Sequence, residues 1–301
     1  MRTRGGRVPD GVERTGGLTR RTCLGLLAVP ALAAERTVNA TWLRRRLPEV
    51  TAAPSPFTSD KARYKPLFGA GDRETAIVRG ISRYGELTID PGGASAAAAF
   101  PREEHAVVVL GGSGRVLYGE KPHPVKANDF FYLAASAPMR IENTGAGPLR
   151  AIVMGFRLPR DVHPTPAAAL PIASIDDVPK QVVGNHPPTT LYQLLMGGTE
   201  STRDRLATGH VLTSLFVMEF APGGTNFPHH HASEEEVYLL LDGSGDMVAG
   251  GGMDGVEGRH PAVPGDAYFF RLNCTVGFYN NPDPSAPKAH ILAVRSKYPF
   301  R

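Results

Sequence analysis

The stretch Glu234-Glu235-Glu236-Val237-Tyr238-Leu239-Leu240-Leu241-Asp242-Gly243-Ser244-Gly245 has an earlier counterpart in this chain. It is Glu103-Glu104-His105-Ala106-Val107-Val108-Val109-Leu110-Gly111-Gly112-Ser113-Gly114, at a constant offset of 131. A second block follows each copy. Asn128-Asp129-Phe130-Phe131-Tyr132, continuing to Asn143, matches Gly265-Asp266-Ala267-Tyr268-Phe269, continuing to Asn280, at an offset of 137. Similarity at a fixed offset is the mark of a duplicated structural unit. Six additional residues must lie between the two blocks of the second copy. The Gly-rich stretch 249–258 is the natural place for them, because lengthening a surface loop costs little.

Within each copy, short apolar runs are separated by Gly, Pro, Asn or Asp. Residues 107–110, 130–133, 149–156, 211–220, 237–241, 267–270 and 290–294 read as strands. With 34 glycines and 27 prolines among 301 residues, the chain favours short strands and turns over long helices. The spacing predicts an all-β protein of antiparallel strands, with two barrels or sandwiches in tandem. The predicted boundaries are a first domain over 61–160, a Pro- and Ala-rich connection over 161–190 with a short helix near 175–178, and a second domain over 191–301.

Charge is unevenly distributed. Six of the 33 basic residues and two of the 29 acidic ones fall in residues 1–34, so the remainder carries 27 of each and is formally neutral. No basic stripe with aromatic or motif support remains, which argues against a nucleic-acid partner. In the N-terminal segment, Arg20-Arg21 precedes an apolar stretch over 24–34 that ends in Ala31-Leu32-Ala33-Ala34. Residues 1–34 therefore resemble a twin-arginine signal with a small-residue cleavage region, predicting export to the periplasm or exterior. Without such a signal the protein would be cytoplasmic. Residues 35–60, with Pro48, Pro54 and Pro56, read as a linker, and no later apolar run reaches the roughly 18 residues needed to span a membrane. Cys23 would leave with the signal, and Cys274 would then have no partner for an intramolecular disulfide.

The chemistry concentrates in Gly223-Gly224-Thr225-Asn226-Phe227-Pro228-His229-His230-His231-Ala232-Ser233-Glu234-Glu235-Glu236. His229 and His231 are two apart, so on an extended strand both imidazoles leave one face. Glu236 opens the next apolar run and can reach that face across a turn, while His230 points the other way. Two imidazoles and a carboxylate suit a divalent ion such as Mn, Fe, Ni, Cu or Zn.

This segment resembles the first motif of the cupin superfamily, G-x(5)-H-x-H-x(3,4)-E-x(6)-G, with Gly223, His229, His231, Glu236 and Gly243 at its fixed positions. The second motif is met loosely by Pro264-Gly265-Asp266 and Asn280. The resemblance covers residues 61–301 and implies a bicupin: two double-stranded β-helix (RmlC-like jelly-roll) barrels. It also implies a fourth ligand, a His that falls on Val276, which cannot ligate. The first copy departs further, with Ala98, Phe100, His105 and Met139 at the four ligand positions, so a metal is expected in the second barrel alone.

Several nearby residues carry open alternatives. Cys274 is either an extra soft ligand or a buried spectator thiol. Tyr238, predicted to face the barrel interior with Leu240, is either a proton donor to a bound molecule or a core tyrosine. Arg271 either holds an anionic substrate or lies on the surface. Tyr268 and Phe278 are candidate aromatic walls of a ligand pocket. His210 and His290 begin strands, with no partner visible in the sequence. The leading expectation is an exported metal-dependent enzyme of oxygenase, hydrolase or isomerase type acting on a small molecule. The alternative is a cupin that binds a small ligand or metal without chemistry. A degraded first barrel beside a metal-bearing second one is similar to ureidoglycine aminohydrolases, manganese bicupins whose ligand spacing differs. The superfamily's habit of dimerising leaves room for a homodimer.

Overall fold

Both copies of the repeat fold into strands with the register that the offsets require. The structure, a computed structural model, describes residues 41–73, 76–251 and 258–298, all inside one compact unit. The arginine pair and the rest of 1–34 lie outside the described residues. Among the described residues, no helix is long and apolar enough to cross a membrane.

Each copy supplies one large sheet and one three-stranded sheet. In the first, Asp129–Leu133, Glu103–Gly111, Leu149–Arg157, Ile81–Ile89 and Ala62–Gly69 lie side by side, opposite Lys121–Lys126, Ser113–Tyr118 and Met139–Asn143. In the second, Asp266–Phe270, Glu234–Asp242, Ala289–Lys297, Leu212–Phe220, Thr190–Gly198 and Leu206–Gly209 face Arg259–Ala262, Gly245–Ala249 and Val276–Asn280. Gly114 pairs with Val125 and Gly245 with Ala262, so the offset rises from 131 to 137 inside one hairpin. The extra residues therefore sit between Ala249 and Gly258, where the hairpin was expected to lengthen.

Strand alternation explains why these runs are continuously apolar. Val107 and Val109 point into the first barrel with Phe131 and Ile141, whereas Ala106 and Val108 point outward. Likewise Tyr238 and Leu240 fill the second barrel, and Val237 and Leu239 face out. The outward residues of the two large sheets meet in one shared core that includes Phe130, Ile152, Phe269 and Leu292. Both faces of each central strand are thus buried, which removes the apolar–polar alternation of a half-exposed strand.

The barrels also exchange segments. Trp42–Arg46 lies antiparallel on Asp266–Phe270 of the second barrel, with Trp42 opposite Phe270. Ile172–Ser174 lies on Asp129–Leu133 of the first, with Ile172 opposite Phe131. Residues 35–60 and 161–190 are therefore more than the linkers expected from sequence, since each contributes an edge strand to the barrel formed by the other copy. A 3-10 turn, Ile175–Asp177, follows the second of these strands where a short helix was expected.

Two buried carboxylates tie the barrels together in the same reciprocal way. Glu104 accepts the backbone N–H groups of His210, Val211 and Leu212 at 2.8, 2.8 and 2.6 Å. Glu235 accepts those of Arg79, Gly80 and Ile81 at 2.8, 2.8 and 3.0 Å. Every residue of one clamp is offset by 131 from its equivalent in the other. Both carboxylates are 0 % exposed, so each needs the donors that the other barrel supplies.

Candidate metal centre

His229 and His231 sit on an irregular segment beside the mouth of the second barrel. His229 exchanges both backbone hydrogen bonds with Val276, its N–H donating at 2.9 Å and accepting at 2.8 Å through its carbonyl. Asn273 donates its N–H to the His231 carbonyl at 2.8 Å. Phe227, two residues upstream, has φ 52, a left-handed conformation that a bulky residue adopts rarely. That turn brings the Phe227 carbonyl to 2.7 Å from His229 Nδ1, which donates to it and leaves Nε2 as the free ring nitrogen.

His229, His231 and Glu236 each offer one ligand atom, and these atoms all lie within 4.8 Å of one another. His231 Nε2 and Glu236 Oε2 are buried and lack hydrogen-bond partners, although they stand only 3.4 Å apart. Burial alone would push the Glu236 carboxyl up, but the His231 ring and the Arg295 charge outweigh it and pull the group below the usual carboxylate value. Burial pushes His229 down and so favours its neutral imidazole. A carboxylate beside a neutral imidazole is the protonation pattern that metal coordination needs. His230 is exposed.

A cleft of about 120 Å³ opens beside the three residues, lined also by His186, Tyr192, Ser214, Asn226, Tyr238 and Arg295 among others. Tyr238 is 1 % exposed, and its hydroxyl oxygen accepts the Asn226 amide at 3.0 Å. Asn226 is itself fixed by the Phe278 N–H at 2.9 Å. Burial and the Glu236 charge raise the Tyr238 pKa far above the ordinary tyrosine value, so it is a proton or hydrogen-bond donor, never a base at neutral pH. Arg295 Nη1 lies 3.3 Å from Glu234, and its buried Nε has no hydrogen-bond partner. Ser214 Oγ is likewise buried and unpartnered.

Four sequence candidates stand elsewhere. Arg271 is exposed, one residue past the end of its strand, and is not part of the cleft wall. Tyr268 faces inward but is covered by the exchanged strand, with Trp42 at 6.1 Å and the Arg44 guanidinium at 5.6 Å from its ring. Phe278 packs against Phe220 at 5.0 Å in the barrel core. Cys274 is 1 % exposed, its thiol donates to the Gly250 carbonyl at 2.9 Å, and burial raises its pKa. It is a protonated thiol outside the cleft wall. His210 and His290 have carboxylate partners, Glu104 at 3.6 Å and Glu219 at 3.2 Å.

His186 and Ser214 carried no sequence signal, because they come from segments far from the motif, as Arg295 does. One trace was available for Arg295. It alternates with Ile291 and Ala293, which point into the barrel, so it is a charge at an inward position.

The first barrel confirms the positional mapping while replacing the chemistry. Ala98 bridges Met139 just as His229 bridges Val276. Where Glu236 pairs with Arg295, His105 pairs with Gly155; where Ser214 pairs with Arg295, Arg83 pairs with Gly155. The arginine has thus crossed from one strand to its neighbour. In the first barrel it binds Glu103 at 2.9 Å and lies over Phe100 at 4.2 Å, with His105 3.3 Å from the same carboxylate. Gly155 is what makes room for this cluster, since a Cβ there would lie 2.8 Å from both Arg83 Cγ and His105 Nε2.

Comparison with known proteins agrees with this architecture. The Cupin domain family model matches residues 85–155, in the copy that lacks the ligands. The glyoxylate-induced protein of Pseudomonas aeruginosa superposes with a TM-score of 0.69 at 14% identity, covering 89% of this chain and 93% of that one. Protein Ylba of E. coli gives 0.65 at 14%, covering 90% and 97%. Oxalate decarboxylase of Lactobacillus farciminis, in a formate complex, gives 0.63 at 14%, covering 90% of each chain. The chain has the bicupin fold, and its residues 85–155 match the Cupin domain family. No curated protein matches the sequence. At such identities the structural likeness of this bicupin to others concerns the fold, and its chemistry has to be argued from its own residues.

Proposed function

We propose that this bicupin is an exported, metal-dependent enzyme that binds one divalent ion through His229, His231 and Glu236 and acts on a small carboxylate. The observation that carries the metal site is the pair of buried, unpartnered atoms, His231 Nε2 and Glu236 Oε2, that converge with His229. A buried acceptor without a donor costs about 1–3 kcal/mol, more for a charged one, and a shared cation would remove that cost for both. Two histidines and one carboxylate leave coordination positions open for a substrate oxygen or water. A bound ion would supply Lewis-acid polarisation of that oxygen.

The substrate class follows from the cleft's remaining polar groups. Arg295 Nε, Ser214 Oγ and the Tyr238 hydroxyl are donors; the first two make no hydrogen bond, although Arg295 Nε stands 3.9 Å from Glu236. Donors with one guanidinium among them match a carboxylate or similar anion. The cleft, about 120 Å³ and open on one side, suits a small ligand. Support comes also from the similar oxalate decarboxylase, whose structure holds formate. Export rests on Arg20-Arg21 and the apolar, small-residue stretch that follows.

The deciding experiment is metal analysis of the purified mature protein beside a His229→Ala/His231→Ala variant. Near-stoichiometric metal in the first and none in the second is expected. Equal, substoichiometric metal in both would sink the site. Small mono- and dicarboxylates, compared with their amides, should stabilise only the metal-loaded protein. Consumption of a stabilising carboxylate then separates an enzyme from a cupin that only binds.

A further inference from the structure

We propose that His186, on the segment joining the barrels, is a fourth protein ligand of the same ion, in place of the imidazole that Val276 cannot supply. The inference rests on the three-residue site proposed above and adds a residue from outside both motifs. His186 lines the cleft, with its ring centroid 5.7 Å from that of His229; the His229–His231 separation is 4.9 Å.

These separations can be compared with what coordination demands. An ion about 2.1 Å from an imidazole nitrogen lies about 3.2 Å from the ring centroid. Two such rings, set between about 90° and 130° apart at the ion, hold their centroids about 4.6 to 5.9 Å apart. Both observed values fall in that window. His229 is already hydrogen-bonded through Nδ1 to the Phe227 carbonyl, and the His186 ring packs against it edge-on, with the ring planes 60° apart. In His229, the ring nitrogen that donates to a carbonyl leaves the other as an oriented lone pair, the usual support of a metal-bound histidine.

His186 nevertheless stands outside the cluster whose atoms all lie within 4.8 Å. Its approach requires a side-chain rotation and a small closure of the segment between Gln181 and Thr190. That segment is anchored at its base, where Gln181 and Tyr192 exchange hydrogen bonds at 2.9 and 2.7 Å, and it carries turns at Val183–His186 and Pro187–Thr190. No strand pairing within the turn has to break for the ring to advance. Ion binding would then draw the interbarrel segment over the cleft, so one side chain would both complete the coordination and close the site.

The test uses cobalt(II) as the probe on the full-length mature chain, His186→Ala and His229→Ala/His231→Ala. Affinity is read by chelator competition and the number of imidazole ligands by X-ray absorption. Three imidazoles in the parent, two in His186→Ala and an affinity loss of about tenfold or more are expected. Thermal melting without metal should be the same for the parent and His186→Ala, which establishes that the loss is not unfolding. Two imidazoles in the parent, with unchanged affinity in His186→Ala, would overturn this inference while leaving the triad intact. A parent chain that binds no cobalt would overturn both.

Discussion

Replacing Glu104 or Glu235 by alanine tests how the two barrels are held to each other. Each carboxylate accepts three backbone N–H groups from the opposite barrel, and in each set two of the three bonds are fully buried. A buried donor left without an acceptor costs about 1–3 kcal/mol, so two of them predict a loss of about 2–6 kcal/mol for each substitution. Glu104→Ala also strips the Tyr132 hydroxyl of its acceptor at 2.8 Å and should fall in the upper part of that range. Against a typical total of 5–15 kcal/mol, either loss is large. The glutamine variants separate charge from shape. Burial pushes the Glu235 pKa up, whereas for Glu104 the His210, Leu212 and Tyr132 hydrogen bonds overcome burial and pull it down. Glu235→Gln should therefore cost less than Glu104→Gln. Urea denaturation followed by tryptophan emission measures all four, because the one tryptophan, Trp42, lies on an exchanged strand. Losses below about 1 kcal/mol for both alanine variants, or the reverse order for the glutamines, would refute the account of the clamps.

Metal removal should lower the melting temperature. An ion at about 100 times its dissociation constant contributes about 2.7 kcal/mol, or about 5–10 °C for a chain of this size, and the His229→Ala/His231→Ala variant should show no such change in calorimetry. Tyr238→Phe removes the acceptor of the Asn226 amide and should cost about 1–2 kcal/mol in denaturation. It should also weaken carboxylate binding, with metal content unchanged by elemental analysis. Gly155→Ala should destabilise by about 1–3 kcal/mol through displacement of Arg83 and His105, seen as a lowered urea midpoint. At Glu103, burial acts upward but His105 and Arg83 pull the pKa down to about 2, below its unfolded value. Its stabilisation is complete above the unfolded pKa of about 4.5 and is lost as pH falls toward 2; it amounts to at most about 3 kcal/mol. Glu103→Gln should flatten the acid limb of a stability–pH curve over that interval.

The duplication was readable because side-chain periodicity and glycine placement survive where function does not. Gly112 and Gly243, matched by the repeat, both adopt positive φ, at 82° and 79°. The offsets matched Ala98 with His229 and Met139 with Val276, and the bridges Ala98–Met139 and His229–Val276 are equivalent in the two copies. What stayed hidden depends on contacts between distant segments. A five-residue edge strand such as Trp42–Arg46 is too short to show a period, and nothing local says which barrel it will join. Tyr268 faces inward as alternation requires, yet the exchanged strand covers it. Of the two alternatives left open for Arg271, the surface one holds, because the strand ends at Phe270 and residue 271 is exposed. The arginine that does enter the cleft, Arg295, comes from the last strand.

The reciprocal exchange of edge strands bears on how the two halves came to differ. A symmetric homodimer built this way would carry every substitution twice, once at each equivalent position. Joining the copies in one chain ends that obligation, because a change at His105 no longer implies a change at Glu236. The strands and clamps have stayed matched, residue for residue, since each still secures the other half. The pockets inside the barrels have been free to part ways: one brings together two histidines and a glutamate, the other locks an arginine, a glutamate and a histidine together.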